Sequence, residues 1–542
     1  MRHAVLEQLQ AQPAYQALVK AVRSGQALSG LGLLRAARLP LLAALWADLR
    51  CPMLLVADRM DRALTVQDEL GFWSADAPRL LFPEPNPMFY EQAAWGSNTR
   101  RERLQVLTAL AQYHIPGQER PKQPPMIITS LRALMTRTLP RRDFLKHTRS
   151  LKVGQMASPE MLQRTWVEVG YQAAEVVLEP GQFSRRGGLL DVWVPAEKFP
   201  VRLEFFGDEI DLLRRFDPAT QRTVEKIERL TVTPAREVLP GKATQLPEGV
   251  EVDEFYLPVV HPAHASLLDY LPKDALVVVG DMDLLQSIAG EIEEQAVQFR
   301  QESVAEGTLT EDFPVPYLSW SEIQDMLSGQ RFLELGHGNA EQPGELAEVF
   351  QPEQRFGGRL KQFVEQMLVY AGRGEQVMVV SRQVPRLREL WTEYSAQQVM
   401  AVLPEFVEGS LGEGWAMRCA DGGVLHVLTD SEVFGWERPL VRQRHRPVVE
   451  APEALYADLR PGDWVVHVDY GIGRYTGLVR RVLEGVEREF LCVEYEGGSQ
   501  LFVPVYQADR LSRYVGPDAE PPSRSEERRV GKECKSRGSR DP

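Results

Sequence analysis

Three stretches of this sequence hold side chains of the types that do phosphate, metal or thiol chemistry, and each departs from the pattern that chemistry needs. Gly32-Leu33-Leu34-Arg35-Ala36-Ala37-Arg38-Leu39 precedes a helix where a phosphate-binding loop would read G-x-x-x-x-G-K-[ST]. Such a loop needs open backbone amides, a compact ammonium and a hydroxyl ligand for magnesium. Ala37 replaces the second glycine, Arg38 the lysine and Leu39 the hydroxyl, so the loop reads as degenerate. The plain reading is a strand-to-helix turn with Arg38 in solvent. Asp281-Met282-Asp283 follows the apolar run ALVVVG. An acidic pair at a strand end can hold a metal for a nuclease, yet it is equally common in ordinary strand-to-helix turns. No D-E-x-[DH] follows one of the buried strands of the α/β lobe. Cys51, Cys419, Cys492 and Cys534 are far apart with no C-x-x-C pair, and read as reduced thiols of a cytoplasmic protein rather than a zinc site. The expectation is a chain with no catalytic residue, no metal and no cofactor.

The elements around these stretches set the next limit. A chain of 542 residues exceeds one hydrophobic core and suggests several domains, and its 44% hydrophobic content is ample for packing them. The net charge of −14 excludes a protein whose whole surface grips nucleic acid, while leaving local basic patches open. No apolar run approaches the ~20 residues of a membrane span.

Buried strands such as PMLLVAD and PMIITS alternate with helices over residues 1–148, as in a parallel α/β lobe. The pattern turns to hairpin-forming strands over 149–235, an inserted α+β domain, and returns over 236–352. There ALVVVG could return a strand to the first sheet. A further small α/β domain covers 355–450, ending in a Pro- and Arg-rich linker. Residues 458–516 alternate as short strands broken by glycines and read as a small β-barrel. The tail 519–542 reads as disordered, of the kind left by cloning or sequencing. The fold class is thus multidomain, α/β and α+β, closing on a barrel.

Two surfaces could bind partners. In the inserted domain Arg185, Arg186, Arg202, Phe205 and Phe206 set guanidinium forks beside an aromatic residue, a composition enriched at interface hot spots. Period-two alternation puts Arg202, Glu204 and Phe206 on one face and Leu203 and Phe205 on the other, so Phe206 is expected exposed and Phe205 in the core. The alternative is that the arginines merely solvate the strand. In the barrel Leu478, Val479, Arg480, Arg481, Val482 and Leu483 form a strand suited to pairing with a partner's edge strand, or a twisted edge protected by its arginines.

The run His467-x-x-x-Gly471-x-Gly473-x-Tyr475, with Leu501-x-Val503-Pro504-Val505, resembles the RNA-polymerase-interacting module of the transcription-repair coupling factors (Mfd), a Tudor-like barrel shared with CarD-type regulators. The phrases GQFSRRGGLLDVW, VRLEFFGDEIDLLRRFDPATQRT and SLLDYLP make the first 350 residues similar to the front of the same family, itself similar to UvrB. That resemblance implies a degenerate helicase-like lobe interrupted by a UvrA-binding domain. It implies UvrA binding through Arg186, Arg202 and Phe206, and docking of the polymerase β subunit through residues 478–483. The family's ATP- and magnesium-dependent DNA translocase is not among the motifs here, so this chain is expected not to be an enzyme and to bind DNA weakly or not at all. EPNPMFYEQAAWGSNTRRERL stands where UvrB inserts a long aromatic hairpin, and its shortness argues against damage verification. Two other classes stay open: a free-standing CarD-like regulator, or a helicase- or nuclease-type enzyme, which would need an intact loop or a metal cluster.

Overall fold

The computed structural model describes residues 2–116, 119–247, 249–336, 345–395, 404–436, 459–467, 471–483, 486–495, 500–504 and 511–513. The tail 519–542 lies outside them, as do the side chains of Arg480, Arg481, Val482 and Leu483. The chain divides into two compact units; the first takes in both α/β sheets, the second the antiparallel strands of 173–193, 199–228 and those beyond 459.

The first unit is organised by continuous apolar strands, whose lack of alternation requires cover on both faces. Its five-stranded parallel sheet runs in the order Arg331–Glu334, Leu276–Val279, Met53–Ala57, Met126–Ser130, Arg79–Phe82. Leu276–Val279 and Met126–Ser130 are buried at every position. The central strand pairs Met53 with Leu276 on one side and with Met126 on the other, so segments more than 200 residues apart in sequence share one sheet. The helix Arg35–Leu49 buries Ala37, Leu41, Leu42 and Leu45 in the core over this sheet.

A second, mixed sheet follows in the order Phe350–Pro352, Trp415–Arg418, Val424–Thr429, Gln376–Ser381, Glu405–Glu408. Alternation along its central strand decides what it joins. Met378 and Val380 point into the core shared with Leu45 and Trp73, whereas Val377 and Val379 pack with Phe363, Met367 and Trp391 on the other face. Trp415 is fully buried with its ring 6.2 Å from Trp73. An antiparallel ribbon, Arg149–Lys152 with Arg229–Val232, closes the first unit where the inserted strands leave and return.

In the second unit Gln182–Arg186, Leu189–Val192, Val201–Phe206, Glu209–Phe216 and Thr223–Ile227 form an antiparallel meander. Its tight turns fall at Gly187-Gly188 and Gly207-Asp208; Gly187 and Gly207 have φ near +60°, which β-hairpin turns require and side chains disfavour. A second antiparallel sheet orders Gln500–Pro504, Val486–Glu494, Gly471–Leu483, Trp464–His467, Leu511–Arg513. Val465, Tyr475, Leu491, Val493 and Val503 form its small core. Gly473 is required there, since a Cβ would lie 2.5 Å from Val493 Cγ1.

Candidate docking faces and the degenerate loop

The loop at Gly32 is held by hydrogen bonds rather than left open for phosphate. Leu28 N donates to Phe332 O at 3.1 Å and Leu33 N to Leu335 O at 2.9 Å, laying the segment along the edge strand Arg331–Glu334. Gly30 and Gly32 turn it at φ of 68° and 61° into the helix at Arg35. Arg38 is not in solvent, as the plain reading had it: Nε donates to Leu33 O at 3.2 Å and Nη1 makes a long 3.5 Å contact with Gly280 O. The reason is that the end of the parallel strand Leu276–Val279 lies beside the loop, where Gly280 O, already accepting from Gly336 N at 2.7 Å, also faces the guanidinium. Burial and the nearby Arg35 push the Arg38 guanidinium below its usual range. Ala37 is fully buried, and Leu39 packs against the core.

A cavity of about 570 Å³ opens beside this loop at the C-terminal ends of the strands, where α/β sheets commonly bind ligands. Two of its four cations are matched by carboxylates: Arg62 Nε lies 3.7 Å from Asp58 Oδ1 and Arg355 Nη2 3.2 Å from Glu413 Oε1. Asp281 caps the helix Met282–Ala305, accepting from Leu284 N at 3.0 Å. Among the described residues no group of three or more His, Cys, Asp or Glu side chains could hold a metal. Phe89, Tyr90 and Trp95 of the short front connection are buried, with Phe89 4.8 Å from the Tyr317 ring.

The arginine face of the meander is built on one acid that sequence reasoning missed. Asp191 is nearly fully buried and stands directly opposite Arg202 across the strand pair. Arg202 donates to both its oxygens, Nε to Oδ1 and Nη2 to Oδ2, each at 2.7 Å. Nη2 also donates to Gln221 Oε1 at 3.0 Å, and the guanidinium lies 4.5 Å from the Phe216 ring centroid. These hydrogen bonds raise Arg202 above its usual range. Arg186 reaches the same carboxylate only weakly, at 3.4 Å, and keeps half its side chain in solvent. The signal for Asp191 was present: a lone acid inside the apolar strand LLDVWV, which burial obliges to find a cation.

Phe206 is 82% exposed at the end of its strand, beside the Gly207 turn. Phe205 is half-buried rather than in the core. A register shift between Glu204 and Phe205 breaks the alternation, so the face rule that holds for Val201 and Leu203 stops there.

In the other sheet a bulge between Tyr475 and Gly477 divides the long strand. Before it, residues 471–474 pair with Trp464–His467, and Arg474 also with Glu494; beyond it, Gly477–Leu483 pairs with Val486–Cys492, and among the described pairings its other edge carries no partner. Leu478 is 45% exposed and Val479 half-buried.

Two family models match the chain: the UvrB interaction domain at residues 150–238 and the CarD-like/TRCF RID domain at 459–515. The transcription-repair-coupling factor of Bacillus subtilis (strain 168) is 25% identical over 91% of the chain, that of Myxococcus xanthus 29% over 92%, and that of Staphylococcus aureus (strain MRSA252) 25% over 91%. The chain spans about 45% of the length of these relatives.

Proposed function

We propose that this chain, similar to transcription-repair-coupling factors over nine-tenths of its length, is a cytoplasmic docking platform of transcription-coupled nucleotide excision repair. Its two matched domains are the observation that carries the reading: the UvrB interaction domain and the CarD-like/TRCF RID domain, in this order. The first α/β sheet acts as a degenerate helicase-like lobe, and the strands beyond 459 as a Tudor-like barrel. The domain boundaries follow those drawn above at 148, 235, 352, 355, 450 and 458–516. Among the described residues no helix is long and apolar enough to cross a membrane, which accords with a protein working in solution.

UvrA docks on the end of the meander. Phe206 supplies the aromatic anchor, Arg186 the adjacent cation, and Arg202 holds the strand that presents them. The polymerase β subunit adds a strand along Gly477–Leu483, where main-chain hydrogen bonds supply affinity and the alternate side chains of 478–483 select the partner. No cofactor is assigned to this chain, and the nucleotide chemistry of the family is assigned to none of residues 32–39.

Titration calorimetry of the purified chain against UvrA and, separately, the β subunit tests the reading; both are expected to bind. Proline at Arg480 or Val482, two positions of one parity, removes an edge amide and twists the strand, and is expected to abolish β-subunit binding, whereas Arg480→Ala weakens only the side-chain part. Circular dichroism verifies that the proline variants stay folded. Folded proline variants that bind as the parent does would rule out strand addition and move the contact to another face.

A further inference from the structure

The ribbon Arg149–Lys152 with Arg229–Val232 has two unlike faces. Leu151 opposite Leu230 turns inward, and both are nearly fully buried. The other face pairs Arg229 directly with Lys152 and Thr231 with Ser150. Like charges directly opposite on a ribbon destabilise it. Arg229 and Lys152 are exposed, and among the described residues neither has an ion-pair partner. The Ser150 and Thr231 hydroxyls likewise make no hydrogen bond there.

This face floors a groove of about 480 Å³ whose walls include His114, Thr148 and Leu145. No lining residue is acidic, in a chain whose net charge is −14. His114 donates from Nε2 to Tyr270 O at 2.9 Å, and burial lowers its pKa, so it adds no competing charge. Thr148 Oγ1 gives its hydrogen to Phe144 O at 2.8 Å, so the donors of the groove are those of its floor. The floor is thus two cations and two hydroxyls with nothing of opposite sign to answer them.

We propose that this groove is a docking track for the phosphodiester backbone of duplex DNA, with Lys152 and Arg229 each meeting a phosphate and Ser150 and Thr231 donating to phosphate or sugar oxygens. Cations and hydroxyls are the groups that hold a nucleic-acid backbone without reading its sequence. No Phe, Tyr or Trp lines the groove, and the His114 ring is held to Tyr270 O, so the groove lacks the broad platforms on which single strands stack. It equally lacks the aromatic anchor of a protein hot spot, since its apolar walls are only Leu145, Ile115 and Pro116. The track is independent of the UvrA and polymerase contacts proposed above, and either reading can fail without the other.

Fluorescence anisotropy of the full chain with a mixed-sequence duplex, against salt, tests this. Non-specific binding on the order of 10⁻⁵ M is expected, and each phosphate contact contributes about 0.9 to the slope of log affinity against log salt. K152Q/R229Q is expected to weaken binding about tenfold at low salt and to reduce that slope by about 1.8. Its thermal unfolding should be unchanged or slightly raised, because a like-charge pair is relieved. K20Q/K361Q, which removes the same charge from two exposed helix positions, should bind as the parent does. The proposal is overturned if K152Q/R229Q binds the duplex like the parent or if K20Q/K361Q loses as much. Tighter binding of single-stranded DNA or of duplex RNA, or displacement of the duplex by inorganic phosphate at equal phosphate concentration, overturns it too.

Discussion

Arg38 and Arg202 both stand in stretches where a cation invites a functional reading, and in both the structure has already given the guanidinium an acceptor. Arg38 is turned onto the carbonyls of Leu33 and Gly280. Arg202 is clamped by the buried Asp191. What differs is the surroundings. Beside Arg38 two of the cavity's other three cations, Arg62 and Arg355, are matched by carboxylates, so the loop offers a ligand little beyond the exposed Arg35. On the strand that Arg202 holds, Phe206 is left 82% exposed at the end, an aromatic side chain of the type that anchors interfaces. A cation found in sequence is therefore informative about partners only once its own acceptor is known, and here the exposed neighbour carries the binding reading.

The largest expected effect separates Arg202 from a binding role. Arg202→Ala leaves the Asp191 carboxylate buried with only the weak 3.4 Å contact to Arg186, and removing one partner of a buried ion pair costs about 3–5 kcal/mol. Urea unfolding should show that loss. Replacing both partners together, as Arg202→Met with Asp191→Leu, should recover most of it, because a well-packed apolar pair is often as stable as the buried ions. The comparison breaks if Arg202→Ala keeps wild-type stability and loses UvrA binding, for then its donors serve the partner and not Asp191.

Phe206→Ala should do the reverse. The side chain is exposed, so stability is expected to move by less than about 0.5 kcal/mol. UvrA affinity should fall about thirtyfold, ~2 kcal/mol, as for a hot-spot aromatic residue. Arg186→Ala should weaken UvrA binding less, without the stability loss of Arg202→Ala. Calorimetry and urea unfolding on the same samples separate the two quantities, and unaltered UvrA binding by both Phe206→Ala and Arg186→Ala would show that this surface is misassigned.

Much of the α/β architecture was legible because parallel strands buried on both faces must be written as unbroken apolar runs. ALVVVG, read as a strand that could return to the first sheet, does so as Leu276–Val279 beside Met53–Ala57. Phe206 is exposed as alternation anticipated, but it lies past the register shift, at the strand's end beside the Gly207 turn, where alternation no longer decides the face. The half-burial of Phe205 was not legible, since a bulge between Glu204 and Phe205 is set by pairing geometry with Ile210 and leaves no mark on the alternation itself. Nor was the orientation of Arg38, whose acceptor at Gly280 is 242 positions away. The fate of Arg202 depended on a register that put Asp191 opposite it, which composition alone cannot specify.

The smallest expected effect concerns the degenerate loop. Arg38→Ala removes one hydrogen bond to a backbone carbonyl and one long contact, together on the order of 1 kcal/mol of stability. It should change nothing else, because neither parent nor variant is expected to bind MgATP. Position 38 carries a guanidinium folded away where an ammonium should face the phosphates, and position 39 is a leucine where magnesium needs a hydroxyl. Calorimetry with MgATP should therefore give no heat of binding for either protein. Micromolar affinity in the parent that disappears in Arg38→Ala would mean that Arg38 leaves Leu33 and Gly280 to meet phosphate. The loop and the meander would then differ less than their resting hydrogen bonds imply.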